Sequence, residues 1–378
     1  MCFLYLGFLA IIGLPFSESR DDAVFSSASD NFDLGKSKWM ECIPDGTKFF
    51  DISIPGTHDS GSYDFTIVPT VRTQAMKWSV QFKMGIRAFD IRILYSTSDD
   101  LFTLHHGFKQ VNTMKKFLKK AIEFLDANPS EAFIFRMREE FKDLRARFSK
   151  DQQGHNDKVK ARMRKYIADN SDYFYKPPDS QFTMGDVRRK MVILYDNLDF
   201  GEFGLSYRST CKIQDDWVVS PKTMHEKWIK IKNQMQTSLG GESGQCFMNY
   251  VSGAVKMLPL GVANGDVLGI KPWKIDYYPS TAYPEFPNSR CRINKQCVYL
   301  EGMNIMTRNY LRDFITTLDG ESGRAYGIFY ADFAGNSFVD VILKSNARLP
   351  GVNANPADLN NPSVNFAQMC HKTTPVNT

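Results

Sequence analysis

Eight short runs rich in β-branched and aromatic residues alternate with amphipathic stretches along this chain of 378 residues. Such alternation is typical of repeated strand–helix units with a parallel sheet. Eight units in sequence favour a closed barrel over an open sheet, so we predict a single α/β barrel domain. The candidate strands are residues 49–54, 88–93, 102–104, 132–137, 190–195, 212–214, 246–251 and 326–330.

The two ends of the chain lack this alternation. Residues 2–16 are apolar and a Ser-Glu-Ser stretch follows, which predicts a signal peptide over residues 1–19 and a secreted protein, with a buried terminal helix as the alternative. No later segment is apolar over the roughly 18 residues that span a bilayer. We assign residues 20–43 to a flexible lead-in, 44–345 to the barrel and 346–378 to an irregular tail.

Loss of the signal peptide leaves six cysteines, which is an even number that fits an oxidising compartment. Six cysteines allow 15 pairings, and proximity suggests only Cys291 with Cys297. Free buried thiols are the alternative. No Cys-x-x-Cys pair occurs, which argues against a zinc site.

The formal net charge of +5 is too small and too dispersed to indicate a nucleic-acid partner. The clearest helix begins near Thr113, with apolar residues at one-face spacing and four lysines opposite them. We interpret these lysines as a solvated helix face, with membrane docking as the alternative.

Titratable residues, with Trp217 among them, follow or end most of the predicted strands. In a parallel barrel such positions meet at one end, where catalytic groups are found. They are His58, Asp59, Asp90, Arg92, His105, His106, Arg138, Glu140, Asp196, Asp215, Trp217 and Asp332.

This set fits the cleavage of a phosphodiester by an internal hydroxyl group without a metal. Two histidines, His58 and His106, suit the base and the acid because their pKa lies near working pH. Arg92 suits the phosphate because its planar fork can bind two oxygens. Asp90 and Asp332 are candidates to orient the histidines. Taken singly, a histidine after a strand is more often structural and an Asp-x-Arg pair more often a salt bridge, so the prediction rests on their joint occurrence.

Four motifs carry a resemblance to a known family. They are residues 53–61 (SIPGTHDSG), 89–92 (FDIR), 104–107 (LHHG) and 128–131 (NPSE), and the match runs from about residue 44 to about residue 343. This pattern resembles the X-domain of phosphatidylinositol-specific phospholipases C, especially the bacterial single-domain type. The resemblance implies a distorted TIM-type barrel that cleaves phosphatidylinositol, or a related inositol glycolipid, to diacylglycerol and a cyclic inositol phosphate.

By the same resemblance, His58 is the general base oriented by Asp332, and His106 is the general acid with Asp90 behind it. Arg92, braced by Asp59, would stabilise the phosphate. The arginine stands where calcium-dependent relatives have a carboxylate, which implies an enzyme without metal or cofactor.

Some of the residues expected to bind the head group depart from the family pattern. Asp215 matches a family ligand to inositol hydroxyls, Trp217 replaces a tyrosine and Arg138 replaces a lysine, and we place Gly107 with these as substrate-binding. Asp196 stands where bacterial relatives have an arginine, so the head group stays open between free phosphatidylinositol and a glycolipid anchor.

We expect a monomer that docks transiently on membranes containing phosphatidylinositol. Residues 65–71 and 257–273 offer apolar side chains for this contact, with ordinary packing as the alternative. Two other functions stay open: a secreted inositol-lipid-binding protein that has lost turnover, and a metal-dependent barrel phosphodiesterase. The second would need carboxylates around a cation, and Arg92 disfavours it.

Overall fold

The computed structural model describes residues 35–63, 70–142, 151–269, 288–290, 297–315 and 323–371. The predicted signal peptide, most of the predicted lead-in, residues 64–69 and Cys291 therefore lie outside the described residues. So do residues 270–273 of the apolar segment 257–273. The described chain is a mixed α/β domain built around one large sheet.

Sixteen strands are described. They are β1 (Ile54–Thr57), β2 (Ala88–Ser96), β3 (Leu101–His106), β4 (Lys109–Thr113), β5 (Phe133–Glu139), β6 (Phe174–Tyr175), β7 (Met191–Tyr195), β8 (Leu205–Ser206), β9 (Cys211–Gln214), β10 (Val218–Val219), β11 (Cys246–Tyr250), β12 (Ala254–Val255), β13 (Gly265–Gly269), β14 (Asn288–Arg290), β15 (Cys297–Glu301) and β16 (Ile328–Ala331).

The described α-helices number ten. They are α1 (Trp78–Lys83), α2 (Met114–Ala127), α3 (Gln152–Ala168), α4 (Met184–Val187), α5 (Tyr207–Thr210), α6 (Met224–Leu239), α7 (Pro259–Asn264), α8 (Met303–Ile315), α9 (Asn336–Lys344) and α10 (Phe366–His371).

The large sheet is a curled parallel sheet with the strand order β6-β7-β5-β2-β1-β16-β11-β9. The first and last parallel strands of the chain, β1 and β16, pair at its centre, with Thr57 opposite Ala331. Parallel sheets are covered on both faces, and β1, β11 and β16 are accordingly buried along their whole length. The predicted α/β barrel-type fold is confirmed. Among the described strands, pairing ends at β9 on one side and at β6 and β8 on the other, which makes the barrel a partial one.

The third predicted strand does not join the parallel sheet. β3 pairs antiparallel with β2, and β4 pairs antiparallel with β3. Only residues 97–100 separate β2 from β3, and a parallel connection needs a crossover of a dozen or more residues. The histidines at the end of β3 therefore reach the site on a hairpin and not at the end of a barrel strand.

The first predicted strand is also shifted along the chain. Phe49–Asp51 forms a 3₁₀ turn and β1 begins at Ile54. The ring of Phe49 stacks on Phe182 with centroids 5.2 Å apart, so these aromatic residues pack beneath the sheet instead of extending it.

The amphipathic helix predicted near Thr113 is α2, which is capped by the Thr113 side chain. Its apolar face packs on the sheet through Phe117, whose ring contacts Phe135 with centroids 5.1 Å apart. Lys119 and Lys120 are exposed on the opposite face, as a solvated face requires.

Both ends of the described chain pack on the domain. Trp39 and Met40 in the predicted lead-in and Phe366 in the predicted tail are fully buried. A disulfide joins Cys42 to Cys370, and a second joins Cys211 to Cys246 on the paired strands β9 and β11. Trp39, Met40 and Phe366 lie in polar segments without hydrophobic periodicity, so no sequence pattern marks them as buried. In the described part of the chain, no helix has the length and apolar character needed to cross a membrane.

Candidate active site

The pairing of the central strands brings the predicted site residues together. His58 directly follows β1 and Asp332 directly follows β16, so the parallel register sets them side by side. Asp90 and Arg92 alternate on β2, and Asp90 lies opposite Arg136 on β5. Side chains two residues apart on a strand share a face, so Asp90 and Arg92 point to the same side of the sheet as Arg136.

His58 is fixed by its backbone and by Asp332. Its N–H donates to the carbonyl of Ala331 over 3.0 Å, and its carbonyl accepts from the Gln74 amide over 2.8 Å. The ring Nδ1 lies 2.8 Å from Asp332 Oδ1. A carboxylate only accepts, so Nδ1 carries the proton and Nε2 is left with the lone pair that a general base needs.

The pKa of His58 is raised above its ordinary value. Burial lowers this pKa, but the carboxylates of Asp332 and Asp59 outweigh the burial, and Arg92 opposes them in part. A base with a raised pKa is a stronger proton acceptor, and it is neutral only above that pKa.

Arg92 lies at the centre of the site. Its Nη2 is 2.6 Å from His58 Nε2, its Nε is 2.7 Å from Asp59 Oδ1, and Nη2 is 3.1 Å from Asp90 Oδ2. Glu140 completes the set at 3.3 Å from Nη1. The expected bracing of Arg92 by Asp59 is therefore present, and the guanidinium is held from several sides next to the base.

His106 reaches the same place on the β3–β4 hairpin. Its Nδ1 lies 2.6 Å from the Val71 carbonyl, which fixes the proton on Nδ1, and its Nε2 faces Asp59 Oδ2 at 3.4 Å. The carboxylate beside His106 is therefore Asp59. The expectation that Asp90 stands behind His106 is wrong, because Asp90 faces β5 and binds arginines instead.

Asp59 connects the two histidines. Its Oδ2 lies 3.7 Å from His58 Nε2 as well as 3.4 Å from His106 Nε2. This oxygen is buried and has no hydrogen-bond partner among the described residues. Asp59 also has a φ of 42°, an uncommon conformation for a residue with a side chain, of the kind that occurs at functional sites.

Asp90 is fully buried between two arginines. Arg92 binds its Oδ2, and Arg136 Nη1 donates to its Oδ1 over 2.9 Å. Burial would raise the pKa of Asp90, but Arg92 and Arg136 together hold that pKa well below its ordinary value. Arg136 was not among the sequence candidates because it lies inside β5, although its two-residue spacing from Arg138 was a usable signal.

Asp196 does not point away from the site. Its Oδ2 accepts from Arg136 Nη2 over 2.6 Å and its Oδ1 accepts from Arg208 Nε over 2.7 Å. The reversed charge at this position is therefore neutralised by two arginines from the protein itself.

These groups open into a cavity of about 260 Å³. Arg138, Asp215 and Trp217 line it, as predicted for substrate-binding residues, and so do Ser252 and Gly253. Gly107 does not line it. With a φ of 55°, Gly107 forms the tight turn between β3 and β4, so its role in this structure is to shape the hairpin that carries His106.

Donor atoms of His58, Asp59 and Asp90 lie within 4.8 Å of one another, which is a spacing that could suit a cation. Arg92 contacts all three of these residues. Its guanidinium already neutralises the two carboxylates, so the described donors form an ion-pair cluster and fit a metal ion poorly.

Relatives and solved structures support the predicted resemblance, although no protein-family model matches the chain. A 1-phosphatidylinositol phosphodiesterase of Listeria monocytogenes is 27% identical over 329 residues, which cover 82% of this chain and 84% of the relative. A protein of the same name from Staphylococcus aureus is 31% identical over 175 residues, which are 44% of this chain and 53% of the relative.

Two solved structures share the fold. The phosphatidylinositol-specific phospholipase C of L. monocytogenes superposes with a TM-score of 0.57 at 24% identity and covers 82% of this chain and 98% of its own. A mutant of the S. aureus enzyme gives a TM-score of 0.55 at 18% identity, with coverage of 83% and 98%. The curated and structural neighbours of this chain, across most of its length, are thus bacterial phosphatidylinositol-specific phospholipases C.

Proposed function

We propose that this protein is a phospholipase C that cleaves phosphatidylinositol, or a related inositol glycolipid, by acid–base catalysis between His58 and His106. One observation carries the proposal: the Nε2 atoms of both histidines face the same oxygen of Asp59, beside the guanidinium of Arg92. The relatives named as phosphodiesterases support the same reaction class.

The first proton transfer belongs to His58. With Nδ1–H held by Asp332, the Nε2 lone pair takes the proton of the inositol 2-hydroxyl as its oxygen attacks phosphorus. The imidazolium that forms is stabilised by Asp332 and Asp59, the two carboxylates that raise its pKa.

The second transfer belongs to His106. As the bond from phosphorus to the glycerol oxygen breaks, His106 gives its Nε2 proton to that oxygen. This Nε2 lies 3.4 Å from Asp59 Oδ2, which helps to orient the ring. Arg92 balances the charge that builds on the phosphate oxygens. One P–O bond forms and one breaks, which gives a cyclic inositol phosphate and diacylglycerol.

Calcium independence is part of the proposal. A calcium site needs six to eight oxygen ligands, and here the carboxylates of Asp59 and Asp90 already bind Arg92. The guanidinium supplies the positive charge that an ion would otherwise supply.

The cavity offers the contacts that a polyol ring needs. Asp215 accepts hydrogen bonds from hydroxyls, Arg138 donates to them, and Trp217 offers an apolar face. These features suit an inositol ring, free or substituted.

The exposed large apolar side chains of the described chain are all within two residues of positions that line the cavity. Trp217 itself lines the cavity, and Phe108 lies two residues from His106 and stacks on Phe141. We propose that this apolar rim docks on the membrane that holds the substrate. The rim residues are Phe108, Trp217, Val218, Val255 and Leu258.

Of the apolar segments expected to dock on the membrane, the described part contributes Leu258, whereas Met257 is buried.

Secretion is likewise proposed, on the apolar start of the sequence and on the two disulfides, which are typical of an oxidising compartment.

The test is to offer the purified protein vesicles of phosphatidylinositol in excess chelator and follow the products by ³¹P NMR. We expect a cyclic inositol phosphate, and we expect no product from His58→Ala or His106→Ala. Tight binding of the vesicles without product would indicate the binding protein that has lost turnover. Activity that appears only with added metal would favour the metal-dependent reaction.

A further inference from the structure

Arg136 is a buried cation in the middle of β5. Only 3% of its side chain is exposed, yet it borders the cavity. Its guanidinium carbon lies 5.0 Å from the centroid of the Tyr207 ring and 5.8 Å from that of Tyr250. Aromatic faces on one side and carboxylates at both Nη atoms leave this guanidinium a single orientation.

Arg136 is the middle member of a row of alternating charges. The row begins at the surface with Arg208, whose side chain is 70% exposed, and then runs through buried groups to the catalytic base. Each member contacts its neighbours within 2.6 to 3.1 Å. In order, the members are Arg208, Asp196, Arg136, Asp90 and Arg92.

We propose that Arg136 is a positioning residue, which holds Asp90 in the orientation in which Asp90 fixes Arg92 against His58. Arg136 binds Asp90 Oδ1, and this leaves Asp90 Oδ2 aimed at Arg92. Asp196 acts from the other side by fixing Arg136. This inference rests on the proposed function and adds a residue to it.

The contacts explain why the effect should be on geometry. Without Arg136, the Asp90 carboxylate loses its partner on Oδ1 and is held through Oδ2 alone, by Arg92 and the Asp59 N–H, so it can turn about that oxygen. Arg92 keeps its contacts with Asp59 and Glu140. The cation therefore stays in the site but in a less defined position. Misplacement of a catalytic group by about 1 Å costs about 10²-fold in rate.

The test compares Arg136→Gln and Arg136→Lys with the wild type in kcat, KM and the pH dependence of kcat/KM. For Arg136→Gln, we expect kcat to fall about 10²-fold with KM within about threefold of the wild type. Arg136→Lys should recover part of kcat, because an ammonium keeps the charge but lacks the fork that bridges two carboxylates.

The pH profile separates positioning from mere structural support. Asp90 Oδ2 lies 3.9 Å from His58 Nε2, so an Asp90 that has lost a cation raises the pKa of His58 further. The acid limb of kcat/KM should therefore move to higher pH in Arg136→Gln and return in Arg136→Lys. The charged groups that face His58 are Asp332, Asp59, Asp90 and Arg92.

A double-mutant cycle with Asp90→Asn closes the test. If Arg136 acts through Asp90, then Arg136→Gln adds no further loss of kcat in the Asp90→Asn background. If the losses of kcat in the two single variants multiply in the double variant, the inference is overturned. A raised KM in Arg136→Gln with an unchanged acid limb of kcat/KM would also overturn it and would indicate direct contact with substrate.

Two further variants keep the test decisive. If Arg136→Gln does not fold, Asp196→Asn removes only the outer anchor and should lower kcat about tenfold, and an unchanged kcat would overturn the inference. Arg164→Gln, which loses an exposed pair with Glu202, should behave as the wild type. Wild-type protein that fails to cleave phosphatidylinositol would contradict the proposed function itself, whereas an active wild type with a fully active Arg136→Gln contradicts only this inference.

Discussion

Two groups of opposite charge contact the ring nitrogens of His58, and together they set its properties as a base. Asp332 at Nδ1 raises the pKa, and Arg92 at Nε2 lowers it. Because the carboxylates outweigh both burial and the arginine, the base is strong but needs a pH above its raised pKa to be neutral. The rate should therefore rise with pH through the pKa of His58.

Replacement of Asp332 by Asn tests this balance. The loss of the carboxylate lowers the pKa of His58, so the acid limb of kcat/KM should move to lower pH. The weaker and less well oriented base should lower kcat by roughly 10²- to 10⁴-fold. Asp199→Asn, at an exposed aspartate paired with Lys160, is the matched control and should change neither value. An acid limb that stays in place or moves upward would contradict this account of His58.

Among the elements, the short β3–β4 hairpin holds both a proposed catalytic residue and the exposed Phe108. It adds His106 to a site otherwise built on parallel strands, and its Gly107 turn places Phe108 just beyond this proposed general acid. Phe108 is 81% exposed and stacks on Phe141 with ring centroids 4.5 Å apart. An exposed Phe108 backed by the half-buried Phe141, beside the proposed phospholipase site, is suited to contact with the bilayer.

Phe108→Ser should therefore weaken binding to neutral phosphatidylcholine vesicles about tenfold or more, since full burial of a Phe side chain is worth about 1.5 to 3 kcal/mol. Sedimentation of protein with vesicles measures this affinity. Cleavage of a water-soluble inositol phosphodiester should stay as in the wild type. Lys119→Ser on the solvated face of α2 is the control, and a variant at Phe108 that binds no worse than this control would remove the hairpin from the docking surface.

For the whole molecule, the Cys42–Cys370 disulfide joins the two ends of the described domain. It spans 328 residues, whereas Cys211–Cys246 spans 35 and joins neighbouring strands. Constraint of the unfolded chain grows with the logarithm of the loop length, so the long loop should contribute more to stability.

We expect the double variant Cys42→Ser with Cys370→Ser to lose about 2 kcal/mol more free energy of unfolding than Cys211→Ala with Cys246→Ala. Denaturant titration of both variants against the wild type measures this difference. Equal losses, or a larger loss for the short loop, would show that packing around the cysteines outweighs the effect of loop length.

The extent to which sequence predicted this molecule differs from one feature to another. The α/β alternation and the helix from Thr113 were readable because periodicity reports burial. His58 and Asp332 were readable because each directly follows a strand. The antiparallel course of β3 was missed although only residues 97–100 precede it. Arg136 was missed because it lies inside a strand, although its spacing from Arg138 places both on one face. The buried Trp39 gave no periodic signal, since a lone apolar residue acquires meaning only through distant partners.

The central claim is that His58 removes a proton and His106 supplies one to the leaving oxygen, and the choice of leaving group tests it most directly. With a nitrophenyl inositol phosphate, whose leaving oxygen needs no proton, His106→Ala should recover most of the rate that it loses on phosphatidylinositol. His58→Ala should lose a similar factor on both substrates, because the inositol hydroxyl must be deprotonated in either case. Equal losses for the two variants on both substrates, or recovery of His58→Ala alone, would contradict the assigned roles.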